Sequence, residues 1–302
     1  MKIVPTGLTL PGVTHHNEEV NGTRLHYVEA GSSGSPLLLV HGFPESWWAF
    51  HQLIPLLAKS HRVFAVDLRG FGDSDHEAEV YGSAASSEDL HALIQRINVG
   101  PVHITGQDIS GGTVFRLVTT HPEDVLSFTA IETGLAGFGA EGLADATRGF
   151  WHIGVLSAPG IPEMLLAGRE REFLGDWAFP LMTEVKGSIT SADVDEFVRT
   201  YSLTHGWRGA SGLYRSMLRE GPELRELAKS FPKTVPVLTV GARGGAFTFD
   251  TMTQAVGPVV ASVRFEGVGH YVALEAPEKL AQALLTFVDG ARSQPSRTAG
   301  PE

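Results

Sequence analysis

One segment constrains the fold of this chain more than any other: an apolar strand that runs into a tight turn and then a helix. Val102–Thr105 has the pattern of the strand, and Gly111–His121 has the pattern of the helix. Gly106 and Ser110 are small, so strand and helix can approach closely around the residue between them. Such a turn holds its central side chain, here Asp108, exposed above a sheet in a strained conformation. The segment therefore predicts a reactive carboxylate at the edge of an α/β sheet.

Two other interpretations of this turn are open from the residues alone. Asp108 could be a helix N-cap, a common role for an aspartate in front of a helix. Ser110 could be the central residue, but Asp108 would then occupy a position where the turn requires a small side chain. We therefore predict Asp108, rather than Ser110, at the centre of the turn.

Short β-rich runs alternate with helical stretches along most of the chain. Several runs are Val/Ile-rich and apolar throughout, which is typical of parallel strands buried on both faces. Strands alternating with helices predict βαβ units, and hence a doubly wound α/β fold with a mostly parallel sheet. The predicted strands are Arg24–Glu29, Pro36–His41, Arg62–Asp67, Val102–Thr105, Leu126–Ile131, Val235–Val240 and Ser262–Glu266, and the predicted helices are Glu45–Lys59, Ser87–Ile97, Gly111–His121 and Pro277–Phe287.

The alternation stops between residues 135 and 232, where aromatic and aliphatic residues recur at irregular helical spacings. We predict a helical cap, residues 135–232, inserted into an α/β core made of residues 1–134 and 233–290. A cap at this place would lie over the carboxyl edge of the sheet, where open α/β sheets bind their ligands. An independent domain is the alternative. The tail, residues 291–302, is rich in Ser, Pro, Arg and Gly, and we predict that it is disordered.

Composition argues against several classes of function. The chain has 302 residues and a formal net charge of −11, so it would repel a phosphate backbone and is a poor candidate for binding nucleic acid. It has no cysteine, which excludes disulfides, thiolate metal sites and cysteine nucleophiles. No membrane-spanning run, secretory signal, metal-ligand cluster or phosphate loop stands out. We therefore predict a cytoplasmic protein that uses no cofactor or metal and binds no membrane.

Two further segments supply groups that suit a nucleophilic carboxylate. In His41–Pro44 a strand runs into a turn just before a helix, and we expect a cis peptide before the proline. The backbone N–H groups of Phe43 and Ile109 could together hold an oxyanion. In Gly267–Tyr271, His270 stands in a glycine-flanked loop after the last strand, where it could act as general base.

A general-base histidine needs a carboxylate that orients it and stabilises its charged form. The strand Val235–Val240 is followed by glycine, alanine and arginine, and the next acid is Asp250. Glu132 closes the strand Leu126–Ile131, 24 positions after Asp108, and points to the same edge of the sheet. We therefore predict Glu132 as this acid, with Asp250 as the alternative. Glu132 could also cap the first helix of the insertion.

In this order and spacing, the turn around Asp108, the His-Gly-Phe-Pro segment and the Gly-Val-Gly-His segment resemble the α/β-hydrolase superfamily over almost the whole chain. Asp67–Ser74 also resembles a loop of that superfamily, Asp-x-Arg-Gly-x-Gly-x-Ser, in which Arg69 and Asp73 would hold the backbone. Two families on this fold use an aspartate nucleophile: epoxide hydrolases, and haloalkane or haloacetate dehalogenases. In both, the carboxylate attacks an sp³ carbon, and a histidine-activated water hydrolyses the resulting ester.

Opening an epoxide ring requires donors that face the nucleophile, because the departing oxygen becomes an alkoxide. Gly212–Arg215 looks like the Tyr-Arg signature that supplies one ring-opening tyrosine in epoxide hydrolases, here Tyr214. Gly149–His152, followed by Leu165–Leu174, resembles the Cif-type epoxide hydrolases. In that subgroup a histidine replaces the second tyrosine, and the acid is a glutamate after the strand that follows the turn. The resemblance implies that His152 and Tyr214 are ring-opening donors; without it, both would be interpreted as core or rim residues.

A haloacetate dehalogenase is the main alternative, because that family has a similar Trp-His stretch and a tyrosine that hold the leaving halide. It usually has an arginine directly after the nucleophilic aspartate and a tryptophan after the cap histidine, where this chain has Ile109 and Ile153. Haloalkane dehalogenases expect a tryptophan at the position of Ile109. A ligand-binding protein without activity is a further alternative, since one fold serves many functions.

We therefore predict an epoxide hydrolase that converts an epoxide to a vicinal diol through an aspartyl ester. The apolar Ile109 favours a small neutral epoxide, and Phe43 and Trp151 are expected to shape its pocket. The expected partners are this substrate and water, and the chain could form a homodimer.

Overall fold

The structure of the chain is a computed structural model that describes residues 1–148, 150–258 and 261–292. Within these residues, nine strands form one sheet. In chain order the strands are β1 (Lys2–Ile3), β2 (Thr14–Val20), β3 (Thr23–Ala30), β4 (Pro36–Val40), β5 (Arg62–Val66), β6 (Val102–Gln107), β7 (Val125–Ile131), β8 (Val237–Gly241) and β9 (Ala261–Arg264).

Helices flank this sheet and also fill the long segment between β7 and β8. They are α1 (Ile54–Leu57), α2 (Ser83–Ile97), α3 (Ser110–Thr120), α4 (Trp151–Ser157), α5 (Ile161–Leu166), α6 (Phe179–Met182), α7 (Ser191–Tyr201), α8 (Arg208–Arg219), α9 (Gly221–Ala228), α10 (Phe247–Val256), α11 (Val272–Glu275) and α12 (Pro277–Arg292). Short 3₁₀ segments are Trp47–Phe50, Pro122–Asp124, Ala140–Ala144 and Ala146–Arg148, and Glu172–Ala178 is π-helical. None of the helices in the described ranges is both long and apolar enough to cross a membrane.

The sheet is antiparallel at one end and parallel elsewhere. Its order is β1-β2-β3-β5-β4-β6-β7-β8-β9. β1, β2 and β3 pair antiparallel, as do β3 and β5, and every pairing from β5 across to β9 is parallel. The central strands carry apolar residues on both faces because helices cover both: Leu37–Val40 are at most 1% exposed. The predicted α/β fold with a mostly parallel sheet is confirmed.

The register of three neighbouring strands brings their carboxyl ends together. Gly106 of β6 pairs with Val40 of β4 and with Ala130 of β7. The residues that follow these positions therefore leave the sheet side by side at one edge. Asp108 follows β6 and Glu132 follows β7, so the parallel pairing alone places the two carboxylates at that edge.

The polypeptide between β7 and β8 is helical: its described residues contain α4 to α9 and no strand. We call residues 135–232 the helical insertion. Arg116 of α3 pairs with Glu220 of the insertion at 3.0 Å, and Trp48 Nε1 donates to Asp193 Oδ1 at 2.9 Å. These polar contacts join the insertion to the rest of the fold.

The loop Asp67–Ser74 contacts both the backbone of the core and the helical insertion. Arg69 Nη1 donates to the carbonyl of Val80 at 2.7 Å, beside a buried ion pair. Asp73 pairs with Arg199 of α7 at 2.9 Å. Arg69 therefore fixes the chain within the core, whereas Asp73 connects the core to the insertion.

Several elements of the core differ from the sequence prediction. The sequence predicts no counterpart for β1, β2, α10 or α11. The predicted helix Glu45–Lys59 is divided into a 3₁₀ turn, Trp47–Phe50, and α1, which has a proline in its first turn. Between the two elements the backbone keeps the shorter hydrogen bonds of turns, with the N–H of Leu53 donating to the carbonyl of Phe50 at 2.9 Å, and Pro55 has no N–H to continue an α-helix across this point.

The carboxyl-terminal helix is longer than predicted. α12 ends at Arg292, so the first two residues of the predicted disordered tail, 291–302, are helical. Phe287 and Val288 remain buried in the last turns, which gives the helix a core to pack against. The rest of that tail, residues 293–302, lies outside the described residues.

Candidate active site

A cavity of about 220 Å³ lies between the carboxyl edge of the sheet and the helical insertion. Both sides contribute residues that the sequence singles out. Its walls are formed by Phe43, Asp108, Ile109, Glu132, Gly134, Ala140, Leu143, Phe150, His152, Ile153, Trp177, Ala178, Leu181, Met182, Tyr214, Met217, Arg243, Gly244, Phe247, Thr248, His270 and Tyr271. Most of these side chains are apolar or aromatic, so the few polar groups stand among largely apolar walls.

Asp108 is held in a left-handed backbone conformation, with φ of +50°. Its N–H donates to the carbonyl of Ile131 at 2.9 Å, and its own carbonyl accepts the N–H of Gly111 at 3.1 Å. Thr133 Oγ1 donates to the same carbonyl. Gly42 packs so closely that a Cβ there would lie 2.5 Å from the Cβ of Asp108. The surrounding backbone therefore imposes the strain that the sequence predicts for this turn.

The Asp108 carboxylate makes two directed contacts. The N–H of Phe43 donates to Asp108 Oδ2 at 3.0 Å, and the peptide between Phe43 and Pro44 is cis, as expected. His270 Nε2 lies 3.5 Å from Asp108 Oδ1. Ile109 stands at the amino end of α3, where N–H groups have no partner within the helix, and its side chain lines the cavity. One oxygen thus faces an oxyanion-type donor, and the other faces the imidazole.

Glu132 lies on the opposite side of the His270 ring, with Oε2 at 3.3 Å from Nδ1. Its backbone is also left-handed, with φ of +45°. The N–H groups of Ala242 and Gly244 donate to its two carboxylate oxygens at 2.6 and 2.9 Å. The loop after β8, which has no acid near its start, therefore supplies donors that fix the acid at the end of β7.

The two carboxylates decide the charge of His270. Burial lowers the pKa of this imidazole, but hydrogen bonds and charge interactions with Asp108 and Glu132 outweigh burial and raise the pKa to about 10. At neutral pH His270 is therefore an imidazolium that donates from both ring nitrogens. The charge of the Asp108 carboxylate is one of the causes of this state.

The loop that carries His270 is attached to the helical insertion. The N–H of His270 donates to the carbonyl of Met182 at 2.8 Å. The buried carboxylate of Glu275 accepts N–H groups from Gly269 at 2.9 Å and from Glu184 at 2.8 Å. The position of His270 therefore depends on the insertion as well as on the sheet.

His152 and Tyr214 face the cavity from the insertion, on α4 and α8. Their ring centroids are 5.9 Å apart, and the Phe43 ring lies 6.3 Å from His152 and 5.3 Å from Tyr214. Burial lowers the pKa of His152 to about 4, so the ring is neutral at pH 7. Burial and the nearby Asp108 charge hold the pKa of the Tyr214 phenol well above its usual range. Both side chains are therefore neutral groups that can donate a hydrogen bond.

Other residues named from the sequence lie elsewhere. Trp151 was expected to shape the cavity but does not line it. Its side chain is 41% exposed, and its ring centroid lies 4.8 Å from that of Trp177, which does line the cavity. Asp250 is exposed on α10 and does not line the cavity. The buried Ser110 hydroxyl donates to the carbonyl of Gln107 at 2.7 Å, and Ser110 does not line the cavity. Gly149, the first residue of the segment that contains His152, lies outside the described residues.

The sequence reasoning missed Glu45 and Trp177. Glu45 is buried, and its carboxyl group accepts the N–H of Gly42 at 3.2 Å and the amide of Gln107 at 2.8 Å. Burial raises its pKa to about 8. It therefore joins the turn that carries Phe43 to the strand that carries Asp108. No signal in the sequence indicated this burial, because a glutamate is almost never fully buried unless it is paired, and Gln107 is 62 positions away.

The described residues contain two groups of His and Asp side chains whose ligand atoms lie within 4.8 Å of one another. They are His91, His121 and Asp124, and His26, Asp67 and Asp73. Neither group lines the cavity. The carboxylates that do line it, Asp108 and Glu132, already contact backbone N–H groups and His270.

Comparison with known proteins gives consistent matches. Residues 35–152 match the family model of the alpha/beta hydrolase fold. The soluble epoxide hydrolase of Corynebacterium sp. (strain C12) is 30% identical over 297 residues, which cover 91% of this chain and 97% of that protein. The fluoroacetate dehalogenase of Burkholderia sp. is 26% identical over 275 residues, 87% of this chain and 90% of that protein.

A solved structure supports the same assignment. The epoxide hydrolase CorEH, determined without ligand, matches with a TM-score of 0.80 and 28% identity, over 92% of this chain and 99% of that one. The match to the Corynebacterium enzyme spans nearly the full length of both proteins, so it includes the sheet, the insertion and the cavity between them. This chain belongs to the epoxide hydrolase family of α/β-hydrolases.

Proposed function

We propose that this protein is an epoxide hydrolase that forms a vicinal diol through a covalent ester on Asp108. The observation that best supports the proposal is that a carboxylate and two hydrogen-bond donors line opposite sides of one cavity. A carboxylate stands at the strained turn, where a serine hydrolase has a hydroxyl, and the neutral donors His152 and Tyr214 face the same space from the insertion. The helical insertion acts as a cap that covers the cavity and supplies these donors.

In the first step Asp108 Oδ1 attacks a ring carbon, and the carbon–oxygen bond of the epoxide breaks. Oδ2 stays with the N–H of Phe43, which leaves Oδ1, 3.5 Å from His270 Nε2, as the attacking oxygen. Tyr214 and His152 donate hydrogen bonds to the ring oxygen as it becomes an alkoxide. The His152 Nδ1 atom is buried without a partner among the described residues, which favours placing the ring proton on Nε2 for this purpose.

The proton balance of this step follows from the charge of His270. The free site holds one Asp108 carboxylate and one His270 imidazolium. Esterification removes the negative charge that helps to keep the imidazole protonated, so the pKa of His270 falls. The imidazolium of His270 gives up one proton and the alkoxide takes up one. The result is a neutral hydroxy ester on Asp108 and a neutral imidazole.

In the second step His270 takes a proton from a water molecule that attacks the ester carbon. Oδ2 then carries the negative charge of the tetrahedral intermediate, and the N–H groups of Phe43 and Ile109 stabilise it. Glu132 orients the His270 ring and stabilises its positive charge. Collapse of the intermediate breaks the bond between the ester carbon and the substrate oxygen, which takes up the proton of the newly added hydroxyl. The diol is released, the Asp108 carboxylate and the imidazolium are restored, and both proton and charge return to the starting state.

The test is turnover of a panel of aryl and alkyl epoxides, alongside fluoroacetate and haloalkanes, after treatment with a chelator. Diols are the expected products. A single turnover in H₂¹⁸O should give unlabelled diol and one ¹⁸O in Asp108, because the first diol oxygen comes from the carboxylate. Direct attack of water on the epoxide would label the diol instead, and activity lost to the chelator and restored only by a metal would contradict the mechanism.

Halide release is the competing reaction, and the cavity wall disfavours it for a haloacetate. Such a substrate needs a cation for its carboxylate. Next to Asp108 the wall presents the apolar side chain of Ile109. The arginine among the described lining residues, Arg243, pairs with Glu184 at 2.6 Å. Release of fluoride at a rate above that of diol formation would reverse this ranking.

Single substitutions of the two donors test ring opening. We expect Tyr214→Phe and His152→Phe each to slow ester formation by about 10²–10³-fold, the usual cost of removing one oxyanion-type donor. The two losses should differ, because a phenol and an imidazole N–H differ in acidity. Single-turnover rates of alkylation measure this step directly, and substrate binding should change much less.

Tyr201→Phe is the matched control for these variants. Tyr201 is also buried and its ring lies 5.9 Å from that of Phe43, but it does not line the cavity. Its loss should leave the alkylation rate within a few fold of the native rate. An unchanged rate in Tyr214→Phe or His152→Phe would remove that residue from the mechanism.

A further inference from the structure

A second group of reactive side chains lies away from the cavity, between α2 and the connection from α3 to β7. His91 on α2, His121 at the end of α3 and Asp124 before β7 each bring one ligand atom within 4.8 Å of the others. His91 Nδ1 lies 2.6 Å from Asp124 Oδ2, and the two imidazole rings stack with centroids 3.8 Å apart. Nothing in the proposed reaction uses this group.

Carboxylates surround the two imidazoles. His121 Nε2 lies 3.1 Å from Glu88 Oε1, and His121 Nδ1 lies 3.8 Å from Glu123 Oε1. The Asp124 side chain is only 3% exposed, and Gln95 Nε2 donates to its other oxygen at 2.6 Å. A ligand carboxylate held by a neighbouring amide is already oriented, and the local negative charge favours a cation.

The group around Asp67 has a similar composition but does not fit an ion. Asp67 Oδ1 accepts the N–H of Trp47 at 2.7 Å. Asp67 Oδ2 accepts the N–H of Asp73 at 3.0 Å and lies 2.7 Å from His26 Nδ1. Backbone and imidazole donors thus occupy both oxygens in the interior, whereas the two imidazoles of the first group are partly exposed and accessible to an ion from solvent.

We propose that His91, His121 and Asp124 bind one divalent transition-metal ion of the zinc class, with Glu88 as the fourth ligand. Imidazole nitrogen and carboxylate oxygen are ligands that Zn²⁺ prefers, at about 2.0–2.2 Å, so two ligand atoms on one ion are separated by roughly 3.3 Å. Small rotations of the two partly exposed imidazoles bring their nitrogens to this separation. The ion replaces the contact of 2.6 Å between His91 Nδ1 and Asp124 Oδ2.

The position of the site indicates that the ion has a structural role and not a catalytic one. α3 has 11 residues and is therefore about 16 Å long, and it separates His121 from the turn at Asp108. The site lies at the amino edge of the parallel strands, because Asp124 directly precedes β7, whereas the cavity lies at the carboxyl edge. An ion there ties the middle of α2 to the α3–β7 connection and stabilises the folded chain by mass action.

Titration of the untagged, chelator-treated full chain with ZnCl₂ tests the proposal. Calorimetry should show one Zn²⁺ per chain, and the thermal unfolding midpoint should rise with Zn²⁺ and return after chelation. Co²⁺ in place of Zn²⁺ should give the intense visible bands of a tetrahedral site. His91→Gln and His121→Gln should each weaken binding by at least about 10-fold, since each removes a ligand.

His16→Ala is the matched control, because His16 also stacks on a ring and lies 3.3 Å from a carboxylate, Glu29, on another part of the surface. It should bind Zn²⁺ like the native chain. The glutamine variants keep a polar side chain of similar length, and a cooperative unfolding transition without metal shows that each of them folds, which separates loss of binding from loss of folding. Absence of saturable binding, or equal affinity in both glutamine variants and the native chain, would overturn the proposal.

Discussion

Asp108→Asn is expected to abolish epoxide turnover, with a loss of roughly 10⁴–10⁶-fold, the range seen when an essential nucleophile is removed. An amide is a far weaker nucleophile than a carboxylate, although it has the same shape. The fold should tolerate the change, because asparagine adopts the left-handed conformation of this position as readily as aspartate. Diol formation by freshly purified protein, measured at early times, gives the result.

Ser110→Ala is the control for this variant. Ser110 is the other candidate in the same turn, and its buried hydroxyl donates to backbone carbonyl groups. Its removal should leave turnover within a few fold of native while costing some stability. Full activity in Asp108→Asn, or loss of activity in Ser110→Ala with the fold intact, would transfer the nucleophile to the serine and exclude an aspartyl ester.

The parallel part of the fold could be predicted because its strands are buried on both faces. Pro36–Val40 is apolar throughout, and Val102–Gln107 is buried at every position although it contains His103 and Gln107. Short buried runs of this kind between helical stretches are typical of parallel strands. β2, with the sequence THHNEEV, is polar and half-buried, so its composition does not distinguish a strand from a loop. Asn21-Gly22, both at positive φ, is the two-residue hairpin turn that could have revealed it.

The sheet side of the candidate site could be predicted for a topological reason. Parallel strands of one sheet end at one edge, so Asp108 after β6 and Glu132 after β7 must be neighbours once the strand order is known. No knowledge of side-chain packing is needed for that step. His270 follows from the same logic, since its loop comes after the last strand.

The insertion side could not be predicted in the same way. Which tryptophan faces the cavity, Trp177 or Trp151, depends on how the helices of the insertion pack on one another. Trp177 lies in the π-helical stretch Glu172–Ala178, where the side-chain directions differ from those of an α-helix. A helical periodicity applied to the sequence therefore assigns the wrong faces there. Glu45 was missed because its partners, Gly42 and Gln107, meet it only in the folded structure.

His270→Gln should separate the two steps of the proposed reaction. The carboxylate of Asp108 needs no base before it attacks, so the epoxide should still open, although more slowly than in the native chain. The ester should then persist, because no base activates water, and turnover should fall by about 10²–10⁴-fold, the usual contribution of general base catalysis. Intact-mass measurement should show one added substrate, mapped by peptide analysis to the segment that contains Asp108.

The interpretation of this adduct depends on what His270 does in each possible mechanism. A serine hydrolase needs its histidine before any attack, so a His270→Gln variant that used Ser110 would form no adduct. Glu132→Gln supplies a graded comparison: His270 is present but loses the carboxylate 3.3 Å from its Nδ1, so the ester should form and decay slowly. An adduct on Ser110, or no adduct with any substrate that the native chain turns over, would contradict the two-step reaction. Accumulation of the ester in His270→Gln and its slow decay in Glu132→Gln would assign hydrolysis of the ester to His270 and Glu132. These two residues are 138 positions apart in the sequence and meet only in the folded chain.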